Sequence, residues 1–247
     1  MNGRPVLEAA DLTVAYGGHT ALSMPRLSVG SGELLGVVGA NGAGKSTLVN
    51  ALLGWSRAAG SLRVAGAVRL DGRDISRWPT HQRVRAGLLL IPEGKLVFGR
   101  ITVEENLLAI GPRPPSEGRR AYSTDEVYEL FPPLFERRHH LGSQLSGGER
   151  QMLGIARALR LGPRVLLLDE PSIGLAPRLV WTVLRTVRAL VDRGLPVLLV
   201  EQNVRAAIDV VDRLILLERG KVVAEGPSAA MRGDPRIAHA YLGGQAG

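Results

Sequence analysis

Apolar runs of strand length alternate with helical patterns along the chain. Val165–Leu168 and Val197–Val200 are continuous apolar runs, as expected for central parallel strands that are covered on both faces. The stretch Leu179–Val191 between them has a helical pattern and completes a strand–helix–strand unit. Together with the apolar run Leu34–Gly39, this pattern predicts an α/β sheet core.

Shorter signals, chiefly glycine turns, prolines and capping residues, predict the remaining strands and helices. The predicted strands are Val6–Val14, Ala67–Leu70, Leu88–Ile91 and a hairpin of Leu214–Leu217 with Lys221–Ala224. The predicted helices are Lys45–Leu53, Thr102–Ile110, Asp125–Leu130, Leu134–Arg138 and Ser146–Leu161, with a proline-rich loop at Gly111–Gly118. Since most of these helices fall between about residues 95 and 160, they predict a helical insert in the sheet core.

Composition excludes several classes of protein. The 247 residues include no cysteine, which rules out disulfide scaffolds and cysteine-ligated metal sites. No apolar run approaches the roughly 18–20 residues that a membrane-spanning helix needs, and the first residues lack the profile of a secretory signal. The sequence alone therefore predicts a soluble, intracellular chain.

The net charge of +8 raises the question of nucleic-acid binding. Of 31 basic residues only three are lysines, and the 28 arginines are scattered rather than gathered in one stripe. Aromatic residues make up 4% of the chain, too few for base-stacking platforms. A solvated arginine-rich surface is favoured over a nucleic-acid surface. The histidines predict no metal centre, because His139 and His140 are adjacent without an i, i+4 partner and His19, His81 and His239 are isolated.

A glycine-rich loop carries the clearest chemistry. Gly39–Ser46 fits G-x-x-x-x-G-K-[ST], with an apolar strand before it and a helix after it. Glycines let backbone N–H groups turn towards phosphate oxygens, and the helix N-terminus adds positive partial charge. Lys45 can reach the terminal phosphates and Ser46 can ligate Mg²⁺. The expected nucleotide-binding residues here are Gly39, Ala40, Asn41, Gly42, Ala43, Gly44, Lys45, Ser46 and Thr47.

Two carboxylates end the apolar run Val165–Leu168. In a parallel sheet the carboxyl ends of the strands face the ligand crevice, so Asp169 and Glu170 are expected beside the phosphate loop. Asp169 would hold Mg²⁺, directly or through water, and Glu170 would orient and deprotonate an attacking water. A strand that merely exits into solvent is the alternative, and the phosphate loop argues against it.

A third motif, Leu145–Gln151 (LSGGERQ), starts a different helix. Ser146 stands at the cap position, and Gly147 and Gly148 expose backbone N–H groups. The residues alone are equally compatible with a second anion site and with an ordinary capped helix after a glycine turn.

The spacing of the three motifs resembles that of the ATP-binding cassette subunit of an ABC transporter, over essentially the whole chain. The resemblance implies an α/β P-loop NTPase fold, with an N-terminal antiparallel β subdomain and an inserted helical subdomain. It also implies a single ATP-binding domain over residues 1–247. In that division, about 1–94 and 161–247 form the nucleotide-binding core, and about 95–160 form the helical signature subdomain.

The resemblance implies that two cassettes face each other head to tail, with ATP between the phosphate loop of one and Ser146–Gly148 of the other. Each cassette would then supply half of two shared sites. Tyr16 falls where the family places a ring against adenine, and Ser172–Pro177 falls where the family has an inter-subunit loop.

Two positions depart from the family pattern. Glu93 stands where a glutamine that touches Mg²⁺ is usual, so it is a further candidate metal ligand. Gln202 stands where a histidine bonded to the γ-phosphate is usual; its amide can donate that bond but cannot carry the imidazolium charge. Nucleotide binding is expected to persist, with hydrolysis that is slower or that depends on a partner cassette.

Four short segments narrow the resemblance to the LivF-type subunit of branched-chain amino acid transporters: PEG at residues 92–94, SIGLAP at 172–177, VEQN at 200–203 and YLGG at 241–244. ATP and Mg²⁺ are the implied cofactors. The implied partners are a second cassette, identical or paralogous, two permeases and, indirectly, a periplasmic binding protein. The subunit would lie on the cytoplasmic face of the membrane, held there by the permeases.

Alternatives stay open at this point. Related urea or short-chain amide importers share much of the pattern. A soluble cassette ATPase acting on nucleic acid usually has two cassettes or a long coiled coil, and this chain has neither. A non-hydrolysing regulatory cassette would fit the changes at Glu93 and Gln202 but not the presence of Glu170 and Ser146.

Overall fold

The computed structural model describes residues 4–56, 62–94, 97–110 and 119–238. These residues form ten strands and nine α-helices. The strands are β1 (Leu7–Tyr16), β2 (His19–Val29), β3 (Leu34–Val38), β4 (Leu62–Leu70), β5 (Arg73–Asp74), β6 (Leu88–Ile91), β7 (Val165–Asp169), β8 (Val197–Glu201), β9 (Arg213–Glu218) and β10 (Lys221–Pro227). The helices are α1 (Lys45–Leu53), α2 (Thr80–Arg85), α3 (Val103–Leu108), α4 (Thr124–Leu130), α5 (Pro132–Glu136), α6 (Gly147–Arg160), α7 (Pro177–Asp192), α8 (Val204–Ile208) and α9 (Ser228–Met231).

All ten strands join one mixed sheet in the order β5-β4-β1-β2-β10-β9-β3-β8-β7-β6. The strands β9, β3, β8, β7 and β6 are parallel, whereas β4, β1 and β2 are antiparallel. A single parallel bridge, Lys221 with Ser23, links the two parts through β10 and β2. The predicted α/β fold with an N-terminal antiparallel part is confirmed.

Alternation along the central strands places one hydrophobic cluster on each side of the sheet. On β7, Val165 and Leu167 join a cluster with Leu48 of α1 and the antiparallel strands. Leu166 and Leu168 point the other way, into a cluster built with α3, α4, α6 and α7. The central strands are fully buried on both faces, which explains why their sequences are uninterrupted apolar runs.

Capping residues define the helices between β6 and β7. Thr102, Ser123 and Ser146 cap α3, α4 and α6, each in a reciprocal capping box with a glutamate three residues on. These helices and the sheet face share one hydrophobic cluster. The division of the chain into a nucleotide-binding core and a 95–160 subdomain stays a prediction.

Strand β2 was absent from the sequence-based prediction because Pro25 is a strand breaker. The structure accommodates it opposite an irregularity in β1, where the paired residues skip from Ala10 to Leu12 and Asp11 has a positive φ of 49°. Helices α2, α8 and α9 were also not predicted, and α5 begins at Pro132 rather than Leu134. Proline is favourable at the first helical position because its N–H would be unpaired there in any case.

Two predicted segments, the Gly111–Gly118 loop and the 241–244 motif, lie outside the described residues. In the part of the chain that the structure describes, no helix has the length and apolarity needed to cross a membrane.

Candidate nucleotide-binding and catalytic site

The loop Gly39–Ser46 connects the end of β3 to the start of α1. Two of its glycines, Gly42 and Gly44, have positive φ angles of 78° and 101°, a region that L side chains rarely adopt. A Cβ atom at Gly39 would overlap the carbonyl oxygen of Leu217. The loop therefore needs glycine for its conformation and for its close approach to β9, and it leaves a backbone cradle at the N-terminus of α1.

The turn between β9 and β10 supports this cradle. The turn was predicted from the sequence, but its contact with the phosphate loop was not. The Gly220 N–H donates to the Ala43 oxygen at 2.9 Å, and the Gly220 oxygen accepts from the Ser23 N–H at 2.6 Å. The turn places Arg219 and Gly220 at φ 47° and 77°. The hairpin tip thus ties the phosphate loop to β2 of the antiparallel part.

The ammonium group of Lys45 lies at the centre of the site. Lys45 is 4% exposed, and its Nζ donates to the oxygens of Gly39 at 2.8 Å and Ala40 at 3.0 Å. The same Nζ lies 3.1 Å from Oε1 of Glu170. A buried positive charge is thereby held where the loop, α1 and the end of β7 meet.

Asp169 and Ser46 form the second pair of the site. The Ser46 Oγ donates to Oδ1 of Asp169 at 3.2 Å, across 123 residues of chain. Burial raises the pKa of the Asp169 carboxyl; the Ser46 hydrogen bond opposes this shift, while the charges of Glu170 and Glu93 add to it. A hydroxyl beside a carboxylate is a donor set that suits Mg²⁺, which takes few protein ligands and completes its shell with phosphates and water. Among the described residues no group of three or more His, Asp and Glu side chains offers a metal site, so phosphate oxygens and water would have to supply the remaining ligands.

Glu170 has a strained backbone. Its φ is 49°, in the left-handed region, and such a residue costs on the order of 1–3 kcal/mol. The Glu170 N–H donates to the Val200 oxygen at 2.9 Å, and its own oxygen accepts from the Ile173 N–H at 3.2 Å. With the backbone in this conformation, the Glu170 carboxylate lies against the Lys45 ammonium.

The other predicted site residues occupy more exposed positions. Glu93 follows β6 at the same edge of the sheet and is exposed, yet its charge contributes to the raised pKa of Asp169. Gln202 directly follows β8 at that edge and is also exposed. Tyr16 ends β1, is half-buried and packs against the cluster that contains α1. Their roles toward a nucleotide stay predictions.

The third motif lies apart from these residues. The Ser146 hydroxyl accepts from the Glu149 N–H at 3.3 Å, and the Ser146 N–H donates to Oε2 of Glu149 at 2.7 Å. A Cβ at Gly147 would lie 2.9 Å from Leu175 Cδ2, so the start of α6 packs closely against the loop before α7. No hydrogen bond or ion pair within the described ranges joins Ser146–Gly148 to the phosphate loop. One chain therefore carries two separate helix N-termini that are rich in glycine.

A buried carboxylate beside Glu170 escaped the sequence reasoning. Glu201 ends β8, is 1% exposed and accepts hydrogen bonds from both the N–H and the hydroxyl of Ser172. The signal was present: the sequence VLLVE, like VLLLD of β7, is an apolar strand that ends in a carboxylate at the ligand edge.

Comparisons with known proteins agree with this geometry. The sequence profile of the ABC transporter family matches residues 22–173. The chain is 42% identical, over 93% of its length and 96% of the relative, to the high-affinity branched-chain amino acid transport ATP-binding protein BraG of Pseudomonas aeruginosa. It is 36% identical, over 96% of its length and 97% of the relative, to the lipopolysaccharide export system ATP-binding protein LptB of Escherichia coli K12.

Solved structures show the same fold. An ATP-binding cassette of an ABC transporter in its ADP conformation matches 98% of this chain and 100% of its own with a TM-score of 0.81, at 24% identity. The chain belongs to the ABC transporter family, as an ATP-binding cassette, and family and site together make it an ATPase.

Proposed function

We propose that the chain is the energy-coupling ATPase subunit of a membrane importer for branched-chain amino acids. The observation that carries the ATPase part is the meeting of Lys45, Ser46, Asp169 and Glu170 at one edge of the sheet. The amino acid part rests on the 42% identity to BraG along nearly the full length of both chains.

Lys45 and Glu170 would carry the hydrolysis. The buried Lys45 ammonium would neutralise charge that develops on the terminal phosphates of ATP, and the backbone N–H groups of the loop would hold them. The Glu170 carboxylate, 3.1 Å from that ammonium, would orient the attacking water and take its proton. Their contact supports this proposal, because the base would then lie beside the phosphates that Lys45 would bind.

Ser46 and Asp169 would hold Mg²⁺, and Glu93 is a further candidate ligand. When bound, the ion would polarise the phosphate oxygens and neutralise part of their charge. Gln202 would donate its amide to the terminal phosphate, without the positive charge of an imidazolium. We therefore expect ATP binding to persist and hydrolysis to be slow or to depend on a partner cassette.

The second glycine-rich helix start, Ser146–Gly148, would complete the nucleotide site of an opposing cassette, identical or paralogous. Its separation from the phosphate loop within the described chain supports this proposal. Tyr16 would stack on adenine. Ile173, 48% exposed in the loop 172–177, would contact the opposing protomer. Binding of ATP would close the two cassettes, and hydrolysis would reset them.

The insert after Glu93 would dock the permeases. Several large apolar side chains of this insert are exposed, namely Phe98, Leu108, Phe135 and Leu141. Exposed apolar surface of this kind is typical of interaction sites. The subunit would then lie at the cytoplasmic face of the membrane through its permeases, and a periplasmic binding protein would act indirectly.

Lipopolysaccharide export is the second candidate, because LptB aligns with almost the entire chain at 36% identity. The higher identity to BraG favours import. Importers for urea or short-chain amides remain close alternatives to an amino acid importer. Stimulation of the reconstituted assembly by leucine with its binding protein, and not by urea or lipopolysaccharide, would separate the three.

The substitution Glu170→Gln tests the ATPase proposal. It removes the base but keeps the size of the side chain, so we expect ATP turnover to fall by roughly 10²–10⁴-fold while ATP still binds. The variant should accumulate as an ATP-bound dimer, measurable by size-exclusion chromatography with and without ATP. Wild-type turnover by this variant would overturn the assignment of Glu170.

A further inference from the structure

Glu201 is a buried carboxylate whose position the proposed chemistry does not yet explain. It ends β8, between the strand that leads into the phosphate loop and the strand that carries Asp169. The register pairs Val38 of β3 with Glu201, and Asp169 of β7 with its neighbour Val200. Glu201 therefore lies between the two catalytic strands at their carboxyl ends.

Hydrogen bonds alone satisfy this carboxylate. Its oxygens accept from the Ser172 N–H at 3.0 Å, the Ser172 hydroxyl at 2.8 Å and the Asn203 N–H at 3.4 Å. Among the described residues no basic side chain forms an ion pair with it. Burial raises the pKa of the Glu201 carboxyl, and the charge of Glu170 adds to the shift. Burying a carboxylate without a counter-charge is costly, so its contribution is better sought in geometry than in stability.

The bonds to Ser172 fix the chain on one side of Glu170. The N–H of Glu170 is bound to the Val200 oxygen, and two residues later Ser172 is bound to the Glu201 carboxylate. Consecutive residues of β8 thus hold both ends of the short segment that has Glu170 at a φ of 49°. A strained conformation persists only where its surroundings hold it on both sides.

The bond to Asn203 acts on the segment after β8. Asn203 caps α8, with its side chain accepting from the Ala206 N–H at 3.1 Å. Gln202 lies between Glu201 and Asn203, so its backbone is fixed from both sides. One buried carboxylate therefore controls the backbone of two predicted catalytic residues.

We infer that Glu201 is a positioning residue for ATP hydrolysis, which sets the Glu170 carboxylate and the Gln202 amide relative to Lys45 through its bonds to Ser172 and Asn203. This inference rests on the proposed function of Glu170. It requires no contact between Glu201 and the nucleotide.

Steady-state kinetics of Glu201 variants test the inference in the full chain. Glu201→Ala should lower kcat for ATP hydrolysis by roughly 10–100-fold, as expected for a residue that orients a catalytic group without touching the nucleotide. KM should stay within about twofold of wild type. Glu201→Gln keeps an acceptor for the Ser172 N–H and a donor for its hydroxyl, and loses only the long 3.4 Å bond from the Asn203 N–H. It should therefore recover most of kcat. Ser172→Ala, which leaves the carboxylate two N–H partners, should lower kcat several-fold and add nothing to Glu201→Ala.

Glu33 provides a matched control at the opposite edge of the sheet. Its carboxylate accepts from the Gly30 N–H at 2.6 Å and contacts Arg213 at 3.0 Å, just before β3. Glu33→Ala should lower the melting temperature without lowering kcat. Equal kcat losses in the folded Glu33 and Glu201 variants, or wild-type kcat in Glu201→Ala, would overturn the inference. If Glu201→Ala does not fold, wild-type kcat in Ser172→Ala overturns it instead.

Glu170→Gln, assayed in parallel, separates this inference from the proposed function. Loss of turnover in Glu170→Gln together with wild-type kcat in the Glu201 and Ser172 variants would refute positioning alone. Wild-type turnover in Glu170→Gln would refute the assignment of the base itself. Equilibrium binding of ATP, measured by fluorescence, should be unchanged in the Glu201, Ser172 and Glu33 variants.

Discussion

At the scale of single residues, Gly39 is the most demanding position of the phosphate loop. Gly39→Ala would place a Cβ against the Leu217 oxygen and 2.9 Å from the Ala43 side chain. The loop or β9 must shift, and we expect ATP affinity to fall by roughly 10-fold or more, because overpacking of this kind costs 1–3 kcal/mol. Gly233→Ala is the control, since a Cβ there meets no atom within 4 Å. Equal ATP affinities in the two variants, measured by titration calorimetry, would argue against this account of the loop.

The raised pKa of the Glu201 carboxyl also predicts how the stability of the protein depends on pH. Its folded-state pKa is raised above the ordinary 4.5, so the folded protein favours the protonated carboxyl. The contribution of Glu201 to the free energy of unfolding is therefore greatest below pH 4.5 and is lost as pH rises through the raised folded-state value. Urea unfolding of wild type and Glu201→Gln from pH 4.5 to 7 should show a steeper decline for wild type. Parallel pH profiles would contradict the prediction.

The sequence motifs predicted which residues meet at the site, but not the contacts that hold those residues in place. The motifs located Lys45, Ser46, Asp169 and Glu170 because each stands beside an apolar strand whose direction fixes its edge. Ser172 and the turn at Gly220 were beyond reach, since their roles depend on pairings between strands far apart in the chain.

At the scale of elements, α1 depends on a buried arginine from α2. Arg83 is 3% exposed, and its guanidinium donates to the oxygens of Ala51 at 3.1 Å and Leu52 at 2.6 Å, in the last turn of α1. It also donates to Ser76 at 2.7 Å and Trp78 at 3.0 Å. A positive charge at the carboxyl end of a helix is favourable, so Arg83 stabilises the helix that starts at the phosphate loop.

Arg83→Leu should reduce the free energy of unfolding by about 3 kcal/mol, because four carbonyl oxygens lose a donor. Arg85→Leu, at an exposed position of the same helix, should change it by less than about 0.5 kcal/mol. Chemical denaturation of both variants measures the difference. Similar stabilities would show that the Arg83 bonds contribute nothing net.

Elements with an apolar run, a capping box or a long helical pattern were predictable, as α1 and α7 show for the last of these, whereas the shortest helices were not. The strands β3, β7 and β8 follow from their sequences because burial on both faces requires apolar residues throughout. Helices α2 and α8 are only six and five residues long, too short to be recognised from a helical pattern. Arg83 fixes α2 through contacts with α1, and Asn203 caps α8 locally.

At the scale of the whole molecule, two serines with the same local structure allow the capping role of Ser146 to be measured separately from its proposed role in ATP turnover. Ser146 and Ser123 cap α6 and α4 in equivalent capping boxes. Alanine at either position should cost about 1 kcal/mol of stability. Only Ser146→Ala should also lower ATP turnover, by roughly 10-fold, because only that helix start would face the nucleotide of an opposing cassette. Equal turnover in the two variants would leave Ser146 as a cap and nothing more.

The dependence of ATP turnover on protein concentration tests the central claim most directly, since two chains are needed to complete each nucleotide site. Turnover per chain would be measured across dilutions whose association state is established by analytical ultracentrifugation. We predict negligible turnover where only monomers exist and a rise as dimers form or as a partner cassette is added. Constant turnover per chain down to the monomeric range, equally in wild type and Ser146→Ala, would contradict the account.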